Sequence, residues 1–335
     1  MGVSTHDIFG DAGEAQPATP GSYGEAPRGH RLPEGSRLGP VRLQIADLAR
    51  SLAYYEGTLG MRILRRDGSS AQLGARRDDR PLVELHERAG VRPSPRRGRT
   101  GLFHFAILLP DRPSLGRFVQ HVGDIGERVG AADHLVSESL YLQDPDNLGI
   151  EVYADRPRST WRRIGRELMM ATDPLDVAGL VRDAGVDPWT GMPEGTVMGH
   201  VHLHVGDLTA ASTFYSDTLG FDRMVWQYPG ALFLAASGYH HHLGTNTWAG
   251  SAAKPPAADE AQLLEWTIEL PDQTSLNAVS QNLAGAGYAV ERDDEAGNAH
   301  ALVTRDPWGT PIRLRTGASK GKPTMKERTN AGGDD

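Results

Sequence analysis

The stretch Gly199-His200-Val201-His202-Leu203-His204-Val205-Gly206-Asp207 alternates polar and apolar residues and ends in a Gly-Asp pair. A period of two is that of a half-buried strand, with His200, His202 and His204 on one face and Val201, Leu203 and Val205 on the other. The same frame stands 160 positions earlier as Gly39-Pro40-Val41-Arg42-Leu43-Gln44-Ile45-Ala46-Asp47. Leu48, Tyr55, Thr58, Leu59 and Gly60 keep that offset from Leu208, Tyr215, Thr218, Leu219 and Gly220. The chain is internally duplicated, and one copy has His200 where the other has Pro40. A scaffold present twice, with a ligand-type residue present once, is the trace a single metal site leaves in a sequence.

The repetition continues beyond these strands. His104 to Asp111 (HFAILLPD) answers Glu265 to Asp272 (EWTIELPD), and Asp144-Pro145 with Gly149 to Val152 answers Asp306-Pro307 with Pro311 to Leu314. Four units begin near 40, 103, 199 and 264. Each reads as a strand ending in Asp, a helix such as Leu208 to Leu219 stopped by Gly220, and three further strands between Gly, Asp and Pro turns. The expected fold class is α+β, with four βαβββ modules paired into two barrel-like cups, since the period is longer than that of solenoid repeats. The expected boundaries are a disordered tail over 1–37, units one and two over 38–156, a packed connector with one or two helices over 157–197, units three and four over 198–316, and a second disordered tail over 317–335.

The 335 residues carry a formal net charge of −8, which argues against nucleic acid as a partner. Without cysteine, disulfides, thiolate metal sites and thiol nucleophiles are excluded. No apolar run approaches the roughly 18 residues of a membrane helix, and no basic-plus-apolar signal opens the chain, so the expected address is cytoplasmic. A homo-oligomer is allowed by the sequence but not specified by it.

Comparing the units position by position isolates the candidate chemistry. His104 precedes Asp111 by seven residues, as His200 precedes Asp207, and Glu151 stands in a strand between Ile150 and Val152, which enter the core. At the matching positions of the other two units stand Pro40, Glu265 and Arg313. Taken singly, a histidine at a strand start is ordinarily a satisfied polar residue, and Glu151 could serve an ion pair. Taken together, two histidines and one carboxylate facing a common cavity form the facial triad suited to non-haem Fe(II); Mn(II) fits too and zinc less well, with zinc or nickel still open. A second cluster, Tyr239-His240-His241-His242-Leu243-Gly244, falls in the expected last strand of unit three. One of its histidines could act as acid and base, because imidazole titrates near neutrality; a solvated edge strand is the alternative.

These residues resemble the vicinal-oxygen-chelate superfamily over about 38–316, and more narrowly its four-module extradiol ring-cleaving catechol 2,3-dioxygenases. The segments that carry the likeness are Tyr141 to Arg158 (YLQDPDNLGIEVYADRPR), Met170 to Asp176 (MATDPLD), Gly199 to His204 (GHVHLH) and Gly238 to Gly244 (GYHHHLG). The resemblance implies His104, His200 and Glu151 as Fe(II) ligands and His241, or its neighbour His242, as the acid–base. It implies Tyr141, ten residues before Glu151, as the hydrogen-bond partner of a bound catecholate, and His134 as a second active-site histidine. The spacing of His134 is two residues short of the family pattern. The implied substrates are a small aromatic diol and O2. The superfamily also holds glyoxalases, isomerases and metal-free binding or resistance proteins, which are the alternatives. In one respect the chain departs from the commonest extradiol enzymes: they build the site from modules three and four, whereas here the ligands lie in units two and three. Units two and three must therefore share one cup, and units one and four the other.

Overall fold

The structure is a computed structural model that describes residues 3–10, 15–293 and 301–317. Each unit opens with a strand: Arg37–Ile45, Gly101–Leu108, Val197–His204 and Gln262–Leu270. The aspartate that ends each repeat caps the helix that follows. Asp47, Asp111, Asp207 and Asp272 accept from the backbone N–H of Arg50, Ser114, Ala210 and Ser275 at 2.9, 2.7, 2.7 and 2.8 Å. Each cap satisfies an otherwise orphaned donor and is worth about 1 kcal/mol. The helix of unit three is regular only over Leu208–Ala211 and continues as a π-helix over Ser212–Thr218.

Two eight-stranded sheets result, each joining two units. Within a unit the opening strand lies parallel to the fourth strand, and the third and second follow outward. At the centre of each sheet two opening strands pair antiparallel: Val197–His204 with Gly101–Leu108, and Arg37–Ile45 with Gln262–Leu270. Units two and three thus share one sheet and units one and four the other, the pairing that the distribution of ligand residues required. The sheets do not follow the contiguous halves 38–156 and 198–316. The sheet faces opposite the His104 side meet the helices through a continuous core that includes Leu43, Tyr55, Phe105, Phe118, Tyr215 and Trp266. Among the described residues no helix is long and apolar enough to cross a membrane.

The N-terminal segment corrects the expectation of a disordered tail over 1–37. Gln16–Pro17 pairs with Arg162–Arg163 of the connector, whose strand Arg162–Ile164 also pairs with Glu167–Leu168. Ala18, Tyr23 and Leu32 are buried. Tyr23 donates to the Gly238 carbonyl at 2.7 Å, and Arg31 holds Asp222 with two bonds of 2.7 and 2.6 Å. An extended segment pinned at separate points shows no periodicity, so composition alone misreads it. The connector carries one α-helix, Val177–Asp183, and buries Trp161, Met169 and Met170. Of the C-terminal tail expected over 317–335, residues 318–335 lie outside the described residues.

The repeated Asp-Pro motif is a carboxylate-centred turn. Asp144 Oδ1 accepts from the N–H of Asp146 and Leu148 at 2.9 and 2.8 Å while Oδ2 accepts from Tyr55 at 3.2 Å; Asp306 does the same with Trp308, Thr310 and Tyr215. Burial outweighs these bonds and pushes the Asp144 carboxyl up from 3.8 to about 7. The fold therefore binds this proton more tightly than the unfolded chain does. The stability Asp144 contributes is full below its unfolded value and is lost as pH rises through about 7. Asp144→Asn keeps an acceptor for both N–H groups and removes the charge. Its Tm should fall less between pH 5 and pH 8 than that of the parent; equally steep profiles would contradict the assignment.

The central ladder of units two and three is irregular at Gly199, between the pairs Met198–Ile107 and His200–Ala106. A Cβ at Gly199 would lie 1.9 Å from the hydroxyl of the fully buried Tyr153. Gly199→Ala is expected to cost about 1–3 kcal/mol in urea unfolding, the usual cost of overpacking. An unchanged midpoint would contradict the close approach.

Candidate metal centre

The antiparallel register sets His202 opposite His104 and His200 opposite Ala106, so His104 and His200 lie on one face of adjacent strands. Glu151, on the fourth strand of unit two, pairs with Ala106 and joins them. Glu151 Oε2 lies 3.0 Å from His104 Nε2 and 3.0 Å from His200 Nε2, and the two nitrogens are 3.4 Å apart. All three side chains are buried. They are the one group of His, Cys, Asp and Glu that converges in this way among the described residues. Bonds of roughly 2.1 Å to one ion, at about 90–110° to each other, span such separations. The donor set, two imidazoles and one carboxylate, fits Fe(II) or Mn(II).

The electrostatics agree with a cation site. Burial opposes charge on Glu151, but the adjacent His200 and His104 outweigh it and hold the carboxyl well below the usual range. Burial also lowers His200 to about 4, which leaves its ring neutral and able to donate a lone pair. Ser139 Oγ donates to Glu151 Oε1 at 2.6 Å, leaving Oε2 for the centre. Oriented hydrogen bonds of this kind fix the direction of a ligand.

The other expected residues surround this triangle. Tyr141 pairs with Glu151 across the sheet, and its ring lies 5.5 Å from that of His104. Burial, with the Glu151 charge, raises the Tyr141 hydroxyl well above its ordinary range and keeps it protonated. It lies 2.5 Å from His134 Nε2, and His134 Nδ1 lies 2.6 Å from the Ala171 carbonyl. The carbonyl can only accept, so His134 carries its proton on Nδ1, and Tyr141 donates to Nε2. The short spacing of His134 therefore does not keep it from Tyr141. The His241 ring centroid lies 4.0 Å from that of His200, and burial pushes His241 well below its ordinary value.

The expected place of the histidine run in a strand needs correction, and the solvated-edge alternative does not hold. His240, His241 and His242 precede the strand Leu243–Asn246 rather than lying in it, and His240 and His241 are buried rather than solvated. The chain reverses at Ser237 and Gly238, both with positive φ (56° and 65°), which releases the following residues from strand alternation. His242, offered as an alternative acid–base, turns aside: its Nδ1 accepts from the Ala236 N–H at 3.1 Å, and it lines the cleft between the two sheets with Tyr239 and Met198.

Sequence alternation also missed an aromatic wall. Phe103 is the extra residue of a bulge between the pairs His202–His104 and Leu203–Leu102. The bulge turns its ring toward the histidine face, 5.0, 5.2 and 4.8 Å from His104, His202 and His204. Trp248 closes against Phe103 at 5.7 Å, and Phe233 stands 5.0 Å from His241. Phe103 and Trp248 remain partly exposed, at 38% and 43%, and mark the mouth. Asn246 orders the remaining histidines, bonding His202 Nε2 at 3.0 Å and His204 Nδ1 at 2.6 Å. Gly244 leaves room for His202, whose ring lies 2.9 Å from where a Cβ would stand.

In units one and four the same positions are filled by ions of opposite sign. Arg313, which replaces the carboxylate, binds Glu265 at 2.5 Å and also Asp293, while Arg42 lies 3.6 Å from both Glu84 and Glu265. The guanidinium stands where a cation would, so this cup is neutralised from within.

The profile described as Glyoxalase/Bleomycin resistance protein/Dioxygenase superfamily matches residues 37–152 and 197–314. A catechol-2,3-dioxygenase of Bacillus subtilis (strain 168) is 44% identical over 267 residues, covering 78% of this chain and 93% of that protein. A crystal structure from Bacillus subtilis subsp. subtilis str. 168 superposes with a TM-score of 0.60 at 11% identity, covering 86% of each chain. Glyoxalase I from Zea mays superposes with a TM-score of 0.52 at 20% identity, covering 84% of this chain and 92% of that one. These two structural likenesses concern the fold. The profile match spans most of both sheets, and so the chain belongs to the Glyoxalase/Bleomycin resistance protein/Dioxygenase superfamily.

Proposed function

We propose that the protein is an Fe(II)-dependent extradiol dioxygenase that opens a catechol or substituted catechol beside its diol. The observation that carries this reading is the buried triangle of His104 Nε2, Glu151 Oε2 and His200 Nε2, with edges of 3.0 to 3.4 Å. The 44% identical catechol-2,3-dioxygenase supports it. His104, Glu151 and His200 would hold the ion, which supplies a common point for both diol oxygens and O2 and a path for electron density between them.

The remaining chemistry belongs to the chain. Phe103, Phe233 and Trp248 present apolar faces to an aromatic ring and exclude water around the reacting oxygens. His241, neutral because it is buried, takes a proton from the diol and returns it when the O–O bond breaks. Tyr141, kept protonated, turns its single O–H from His134 Nε2 to a diol oxygen when the substrate binds. The product keeps every atom of the diol and of O2: a ring-opened hydroxymuconic semialdehyde, which is yellow.

The test is anaerobic loading with Fe(II), followed by catechol and air. A yellow product is expected, with loss of activity but not of fold in His241→Ala, roughly 100-fold or more for removal of an acid–base. No colour from any of several catechols, with iron bound, would overturn the reading. Loading with Mn(II) in parallel identifies the working metal.

A further inference from the structure

Behind His241 lies a buried polar chain that the proposed chemistry does not yet use. His241 Nδ1 stands 2.7 Å from His240 Nδ1, and His240 Nε2 stands 2.9 Å from Asp155 Oδ1. Tyr239 donates to the same oxygen at 3.0 Å, and its hydroxyl also lies 2.7 Å from that of Tyr153. His240 is fully buried, and its ring is packed by Tyr239 at 4.0 Å and Trp161 at 5.6 Å. Tyr23 anchors the turn before it through the Gly238 carbonyl.

Hydrogen-bond polarity runs in one direction along this chain. An ionised Asp155 only accepts, so His240 must carry a proton on Nε2. With that single proton on its ring, His240 has a bare Nδ1, and the 2.7 Å contact then places the His241 proton on Nδ1. The far nitrogen of His241, Nε2, is thereby left bare, on a ring that packs against those of His200 and Phe233. A base needs that form before substrate arrives, and a free imidazole would divide itself between two tautomers.

We infer that Asp155 and His240 are positioning residues that fix His241 as the Nδ1–H tautomer, with Nε2 bare for a proton from the substrate. The inference rests on His241 being the acid–base of the proposed reaction, but the tautomer can be read without turnover. Neither residue touches the substrate; both act through His241, as an aspartate orients the histidine of a catalytic triad.

The experiment compares His240→Gln with His240→Leu. Glutamine can accept from His241 through its oxygen and donate to Asp155 through its amide, whereas leucine can do neither. Side-chain 15N NMR of the metal-free protein, with the His241 signals assigned by their loss in His241→Asn, should show a protonated Nδ1 and a bare Nε2 in the parent and in His240→Gln. His240→Leu should lose that preference. In the iron-loaded enzyme its kcat should fall roughly 10- to 100-fold, with KM and iron content unchanged, and His240→Gln should restore most of the loss. A parent His241 protonated on Nε2 would overturn the inference even if neither variant folds, and so would equal kcat values for the two variants. A parent enzyme that opens no catechol yet shows the Nδ1–H tautomer would sink the proposed reaction and leave the tautomer assignment standing.

Discussion

The active face depends on the antiparallel pairing of two opening strands, one from each half of the duplicated chain. Side chains on a strand alternate, so a slip of one residue would send every histidine of Val197–His204 to the opposite face. The observed register, with His202 opposite His104, brings His104 and His200 to within 3.4 Å and places Glu151 against both. Buried donors brought this close cost free energy unless a cation or shared protons lie between them. The register is held from outside the site: apolar residues such as Val201, Leu203 and Phe105 lie on the opposite face, in the core, and the aspartate caps fix where each helix leaves its strand.

The two sheets show one scaffold with two solutions to the same electrostatic problem. In units two and three the inward carboxylate has two imidazoles for company and space for an ion. In units one and four Arg313 brings its own positive charge to Glu265, and Pro40 removes a donor. A buried ion pair needs no exogenous partner, so the second cup has no charge left for a metal ion to balance at Glu265. A single substitution could not restore it, because removing Arg313 alone would still leave Pro40 and Glu265 where the other cup has its two histidines.

Much of this was legible because duplication turns a sequence into its own control. The contrasts His200 with Pro40, His104 with Glu265, and Glu151 with Arg313 singled out the three residues that meet, and the split of those residues between units two and three required the observed pairing of sheets. What was not legible came from departures from regular geometry. Phe103 faces the histidines only because a bulge adds a residue to its strand, and strict alternation assigns it to the other side. His240 and His241 follow a left-handed pair, Ser237 and Gly238, so strand logic fails for them. Asp155 reaches His240 across 85 residues, and the N-terminal segment is held by isolated contacts such as Tyr23 to Gly238; neither leaves a period to read.

One metal ion per chain, on the face shared by units two and three, is what the geometry of His104, Glu151 and His200 calls for. The most direct measurement is the iron content of anaerobically reconstituted, desalted protein, with circular dichroism as the check on fold. One Fe(II) per chain is expected in the parent and none in folded Glu151→Ala. Iron retained by Glu151→Ala, or a second equivalent bound by the parent, would contradict it.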